Sequence, residues 1–203
     1  MSRPSLALYG LTGSGKSTIS ALFAENLARR GLSVEVVKIA RPLYRTQAHL
    51  YQVAGREIGT WEPDQELLCE LARQFRRINP DFLVEDFLAR ADASTAQVVI
   101  NDDLRDAATD YPRMAAAGFD FVRIACDDQV RLQRLAARPD RTQSPETDAT
   151  WGYDQIIPTW TLDNSGDDPR SAQQQVDEIV TKWLAGPASD LHLLSDPTGD
   201  ESS

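Results

Sequence analysis

Near the start of the chain, Gly10-Leu11-Thr12-Gly13-Ser14-Gly15-Lys16-Ser17-Thr18 carries the spacing G-x-x-x-x-G-K-S. Each residue type in this pattern has a task. The glycines let the backbone curl until several N–H groups converge on phosphate oxygens. Lys16 supplies a point charge for the outer phosphates, and Ser17 offers a hydroxyl to Mg²⁺. A helix starting at the lysine would add the positive end of its dipole. Gly10, Thr12, Gly13, Ser14, Gly15, Lys16, Ser17 and Thr18 are therefore the candidate ATP-binding set.

A second group of polar residues follows a buried-strand pattern at Ala96–Asp102, where Asn101-Asp102-Asp103-Leu104-Arg105 closes the strand with acids and an arginine. An acid there can hold Mg²⁺ opposite Ser17, with Asp102 the first choice, and Arg105 can fork a phosphate. Arg131, Arg134 and Arg138 recur at helical spacing, and Arg141 follows in a polar, Pro-containing stretch over 139–157 without periodicity. Irregular segments of that length often act as lids, and this one is expected to fold arginines over a transferring phosphoryl group, with Trp151 and Tyr153 packing it shut. A solvated basic face is the plainer alternative. His49 and His192 are the only histidines, one in an expected helix and one in the C-terminal tail. Neither suits a general base, which an alcohol acceptor usually needs and an anionic phosphate acceptor does not.

The elements that must position these groups alternate. Leu6–Tyr9, Ser33–Ala40, Ala96–Asp102, Phe119–Cys126 and Thr159–Asp163 read as strands. Helical patterns follow the glycine loop and cover 41–55, a stretch capped by Asp64, a stretch opened by Pro80, 106–117, the residues after Asp127, and 169–184. In the helix after Asp64, Leu67, Leu68, Leu71, Phe75 and Ile78 form one apolar stripe. Strand–helix alternation predicts a five-stranded parallel sheet with helices on both faces and ligands at the carboxyl ends of the strands. That rim would gather Gly10–Ser17, Arg41, Asn101–Arg105 and Asn164–Gly166.

Composition sets outer limits. A net charge of −10 argues against general nucleic-acid binding, and no apolar run is long enough to span a membrane. No charged-then-apolar leader precedes the motif, so it is expected in the mature chain. Cys69 and Cys126 are too few for a disulfide framework and read as buried thiols in a reducing cytoplasm. Eighteen of the 21 basic residues are arginine, in keeping with phosphate forks or simply a coding bias. From Gly186 the chain turns to Gly, Pro, Ser and Asp, the composition of a disordered acidic tail over 186–203.

With these residues in view, the chain resembles the deoxynucleoside monophosphate kinases, especially the phage-type branch of the P-loop nucleoside monophosphate kinase superfamily. Arg76-Arg77-Ile78-Asn79-Pro80-Asp81-Phe82-Leu83-Val84 is similar to the family's Arg-then-Asn-Pro-Asp stretch. Asp103-Leu104-Arg105 is similar to its D-x-R element, Arg134 and Arg138 to its lid arginines, and Asp163-Asn164-Ser165-Gly166 to its D-N-x-G turn. The resemblance implies a P-loop NTPase fold over 1–185, with a helical monophosphate-binding insert at about 41–93 and a short mobile lid at about 138–158. It implies ATP and Mg²⁺, held by the loop with Asn164 and Gly166, and by Ser17 and Asp102. It further implies an acceptor monophosphate held by Arg41, Tyr44, Arg76, Arg77, Asp103 and Arg105, with Lys16, Arg105, Arg134, Arg138 and Arg141 acting on the transferring group. Its partners would be small-molecule nucleotides, in the host cytoplasm if the chain is phage-encoded, and a homodimer is left open. One departure stands out: where the family carries an Asn-Glu pair after D-x-R, this chain has Asp106-Ala107-Ala108-Thr109-Asp110. The alternatives are a kinase of another small molecule, such as dephospho-coenzyme A, and a non-kinase ATP-binding switch. No N-K-x-D base-reading motif is present to favour the switch.

Overall fold

A computed structural model describes residues 3–137, 152–166 and 168–186. Five strands, β1 (Ser5–Tyr9), β2 (Val34–Val36), β3 (Val98–Asn101), β4 (Asp120–Ala125) and β5 (Trp160–Asp163), form one sheet in the order β2-β3-β1-β4-β5. Every pairing is parallel. The central strand β1 is fully buried, which explains why it reads as a continuous apolar run rather than an alternating one.

Successive side chains of each strand feed opposite faces of the sheet. Leu6 and Leu8 of β1, Val98 and Ile100 of β3, and Val122 and Ile124 of β4 face one core. Onto it pack Ile19, Phe23 and Leu27 of α1 (Lys16–Arg29) and Val176, Ile179 and Val180 of α7 (Pro169–Leu184). Ala7, Tyr9, Val99 and Phe121 face the other core. It is covered by α2 (Arg41–Val53), α3 (Gln65–Ile78), α4 (Phe82–Ala93) and α5 (Asp110–Ala116). The sixth helix, α6 (Asp128–Ala136), follows β4.

Local chemistry sets several boundaries. Asp64 caps α3 by accepting from Leu67 N, and Asp127 caps α6 by accepting from Gln129 N and Val130 N. Pro112 sits in the first turn of α5, where its missing N–H costs nothing. The second strand is shorter than the Val-rich pattern predicts, because beyond Val36 the chain bends to start α2. The α3 stripe is also narrower than expected: Leu68 is buried, but Ile78 at the helix end is 72% exposed. Neither cysteine is buried, contrary to the sequence reading. Cys69 is exposed on α3, one residue and so about 100° round the helix from the core-facing Leu68, and Cys126 is half-buried after β4. Of the expected lid, Arg138, Arg141 and Trp151 lie outside the described residues, as does the tail beyond Gly186. Tyr153 belongs to the core instead: it is buried, its ring lies 5.4 Å from that of Tyr9, and its hydroxyl donates to Leu104 O at 2.8 Å. Among the described residues no helix is long and apolar enough to cross a membrane.

Burial and capping should differ in weight. Phe87 is fully buried between α4 and the sheet, so Phe87→Ala should cost about 3–5 kcal/mol in chemical denaturation. Asp64→Ala, which removes only a cap, should cost about 1 kcal/mol in the same experiment.

Candidate active site: two adjoining clefts at the strand ends

The glycine loop runs from the end of β1 into α1 and is gripped from both sides. Gly15 has φ +93°, and a Cβ there would fall on the Asn164 side-chain amide. Gly13 has φ +91°, and a Cβ there would lie 2.9 Å from Arg131 Cγ and Leu135 Cγ. Only glycine meets both the backbone conformation and the space. The Asn164 amide donates to Ser14 O at 2.8 Å, and Arg131 donates to Thr12 O at 3.2 Å while pairing with Asp128 at 3.0 Å. Arg131, read from its spacing as part of a basic face, is therefore a buried buttress of the loop. Lys16 folds back across the loop, donating to Gly10 O at 2.6 Å and Leu11 O at 3.1 Å.

A cleft of about 420 Å³ opens above the loop. Gly13, Lys16, Ser17 and Thr18 line one side, and Lys38, Asp102, Asp103 and Arg105 another. The buried Asp102 carboxylate pairs with Lys38 Nζ at 2.7 Å. Ser17 and Asp102 thus share one cavity, as a Mg²⁺ held by few protein ligands and by substrate phosphates requires. Among the described residues no cluster of three or more His, Cys, Asp or Glu side chains is placed to hold a metal alone.

A second cleft of about 250 Å³ lies beside the first, between α2, α3 and the end of β3. Ile39, Leu43, Leu68, Ala72 and Leu83 give it apolar walls, and Arg76 and Arg105 give it charge. Ala40, Tyr44, Gln65, Asp103 and Arg105 line both clefts, so the two adjoin. Asp103 is committed to structure: its carboxylate accepts from Ile39 N at 2.8 Å, Ala40 N at 3.0 Å and Asn101 Nδ2 at 2.6 Å. It holds the turn into α2 instead of pointing a charge at a ligand.

The expected arginines separate. Arg76 and Arg105 meet at the second cleft. Arg77 does not: it is exposed, donates to Gln74 at 2.9 Å and lines neither cavity, because one helical step from Arg76 turns it away from the pocket. Arg41 is exposed and lines neither cleft; it lies on a wider groove of about 880 Å³ along the edge strand β2, which shares Lys38, Tyr44 and Trp61 with the loop cleft. Arg134 stands beside the loop with its guanidinium donated to Asn164 O at 2.9 Å and Gly166 O at 3.4 Å, tying α6 to the turn after β5. Several lining residues escaped the sequence reading, among them Lys38, Gln65, Trp61 and Arg73. Two of them left a trace. Lys38 is one of only three lysines, and Trp61 is a half-exposed aromatic in a polar stretch, its ring 5.1 Å from that of Tyr44.

No family model matches the sequence, and no curated protein does. Solved structures do match. A putative kinase from Chloroflexus aurantiacus is similar at 13% identity and TM-score 0.55, covering 89% of this chain and 98% of that one. Shikimate kinase from Acinetobacter baumannii, in complex with shikimate, is similar at 15% identity and TM-score 0.54, covering 92% and 96%. The Mycobacterium tuberculosis APS kinase CysC, in complex with AMPPNP and APS, is similar at 19% identity and TM-score 0.50, covering 91% and 99%. A five-stranded parallel sheet, a glycine loop clamped at the end of its central strand and likeness over nearly the whole chain together show that this protein has the P-loop NTPase fold.

Proposed function

We propose that the protein transfers the γ-phosphoryl group of ATP to a (deoxy)nucleoside 5′-monophosphate, giving ADP and the diphosphate. The observation that carries this reading is the adjacency of the two clefts, which share five lining residues, one floored by the glycine loop and the other charged by Arg76 and Arg105. The first cleft suits a triphosphate tail. Loop N–H groups, Lys16, Asn164 and Gly166 would hold it, and Mg²⁺ would bind at Ser17 and Asp102, drawing charge from the phosphate oxygens when present. Lys38 pairs with the buried Asp102 at 2.7 Å and holds it in place for that task. The apolar walls of the second cleft suit a base and sugar, and its arginines suit a phosphate.

No described histidine stands at the junction, and the carboxylates there are committed: Asp102 to Lys38, Asp103 to backbone N–H groups. A monophosphate acceptor brings its own anionic nucleophile, so the protein has only to align two phosphates and neutralise their repulsion. Arg134, with Arg138 and Arg141 beyond the described residues, would add charge at the transferring group.

Three substitutions test the assignment. Lys16→Ala should lower kcat by about 10²–10³-fold, the scale of losing one donor to the developing charge. Arg76→Ala and Arg105→Ala should each raise the acceptor KM about tenfold or more, with the KM for ATP unchanged. Arg77→Ala should leave both constants within about twofold, since an exposed side chain outside the clefts has no ligand contact to lose. The assay is ADP release over a panel of ribo- and deoxynucleoside monophosphates, with shikimate, adenylyl sulfate and dephospho-coenzyme A as competing acceptors. Turnover confined to the competitors would replace the nucleotide assignment. ATP hydrolysis stimulated by no acceptor would favour the switch.

A further inference from the structure

The stretch that departs from the expected Asn-Glu pair, Asp106 to Asp110, is built around two carboxylates facing one arginine. Asp106 Oδ2 lies 2.8 Å from Arg76 Nε, an ion pair without hydrogen-bond alignment, and Asp110 Oδ2 accepts from Arg76 Nη2 at 3.4 Å. Both acids are locked by their own backbone. Asp106 Oδ1 accepts from Thr109 N at 3.2 Å, Asp110 Oδ2 accepts from Asp106 N at 3.1 Å, and Asp110 N donates to Asp106 O at 2.7 Å. This reciprocal capping starts α5 and leaves neither carboxylate free to turn away. We propose that Asp106 and Asp110 are positioning residues for phosphoryl acceptance: they hold the Nε–Nη2 edge of Arg76 so that the remaining guanidinium N–H groups face the acceptor cleft.

The inference rests on the acceptor reading above and adds to it the source of the arginine's alignment. Arg76 comes from the last turn of α3, where a long side chain would otherwise sample many rotamers. A guanidinium has five N–H donors in one plane, so fixing one edge fixes the direction of the other. The loop that holds Arg76 follows directly on Arg105, and the fully buried Leu104 just before that arginine anchors the stretch. Two acceptor arginines from distant parts of the sequence are thereby registered to one rigid turn.

Capping alone does not explain Asp110. A cap facing solvent would serve α5 without penalty. Asp110 is 1% exposed, and its Oδ1 is buried with no hydrogen-bond partner. Burial pushes its carboxyl up to about 6 against the pull of Arg76, and the negative charges of Asp106 and Asp103 push the same way. The charged groups of α4 and the far side of α5 are engaged with one another, Arg113 with Asp81 and Glu85. A carboxyl raised on folding costs stability once ionised. The cost sets in as pH rises from the ordinary carboxylate range and is complete above about 6. The chain thus carries an ionised, incompletely bonded acid at neutral pH, set against Arg76, which with Arg73 lines the second cleft from α3.

A double-mutant cycle separates positioning from support of the fold. With ATP and the best acceptor monophosphate at pH 8, Asp106→Ala and Asp110→Ala should each raise the acceptor KM about tenfold, leaving the KM for ATP unchanged. In an Arg76→Ala background the same substitutions should have no further effect, because they act through that side chain. Asp110→Asn keeps an oxygen facing Arg76 and should recover most of the loss. Its Tm should match or exceed that of the wild type at pH 8, and the difference should vanish near pH 4, where Asp110 is neutral. An acceptor KM that falls in the alanine variants, or rises equally with and without Arg76, overturns the proposal. So does a Tm for Asp110→Asn well below wild type at pH 8. Failure of every monophosphate to act as acceptor for the wild type would instead remove the reading on which the proposal rests.

Discussion

The carboxylate of Asp103 accepts the N–H groups of Ile39 and Ala40, and this bond set joins the end of β3 to the start of α2. Much of the site's shape follows from it. Asn101, buried beneath, donates to both Val37 O and Asp103, so the tip of β3 and the bend after β2 move as one piece. The bend fixes where α2 begins and so where Tyr44 stands, on the wall shared by both clefts. It also carries Lys38, which faces Asp102 across the same gap. Buried polar clusters of this sort are rigid because every alternative leaves a desolvated group without a partner.

A second constraint holds the glycine loop. The turn after β5 presents Asn164 to the glycine loop and receives Arg134 from α6, while Arg131 of the same helix braces Thr12. The loop is thus fixed by elements that follow it by more than a hundred residues. Its N–H groups owe their direction as much to α6 and the β5 turn as to the glycines themselves, which is what lets such a loop bind anions without reorganising.

The fold was largely legible because parallel strands buried on both faces leave short apolar runs, and the helices between them carry glycine ends and aspartate caps at the right places. The phosphate loop was legible because its chemistry is local: eight consecutive positions do one job. The second cleft was less so. Helical periodicity cannot say which of two adjacent arginines faces a pocket until the tilt of α3 against α2 is known, and Arg76 and Arg77 resolved only in three dimensions. Arg41 lay beyond reach because the sequence, though it starts α2 at the same residue, does not say which side of the helix faces which groove. Trp61 and Gln65 belong to the site by tertiary contact alone. The cysteines misled because a generic preference for burial yields to the position each residue holds on its element.

The acidity of the chain looks at first unsuited to binding polyanions. At the site, however, the acids do not oppose the bases; they organise them. Lys38 is held by Asp102, Arg76 by Asp106 and Asp110, and the backbone start of α2 by Asp103. Each pairing exchanges some positive potential for a fixed direction. For ligands that carry several negative charges, direction is the scarcer quantity: an unaligned cation attracts a phosphate to many positions, whereas in-line transfer tolerates one. On the function proposed here, repulsion between two phosphates must be overcome at a single geometry. A site that spends acids to aim its arginines meets that requirement better than one that merely accumulates charge.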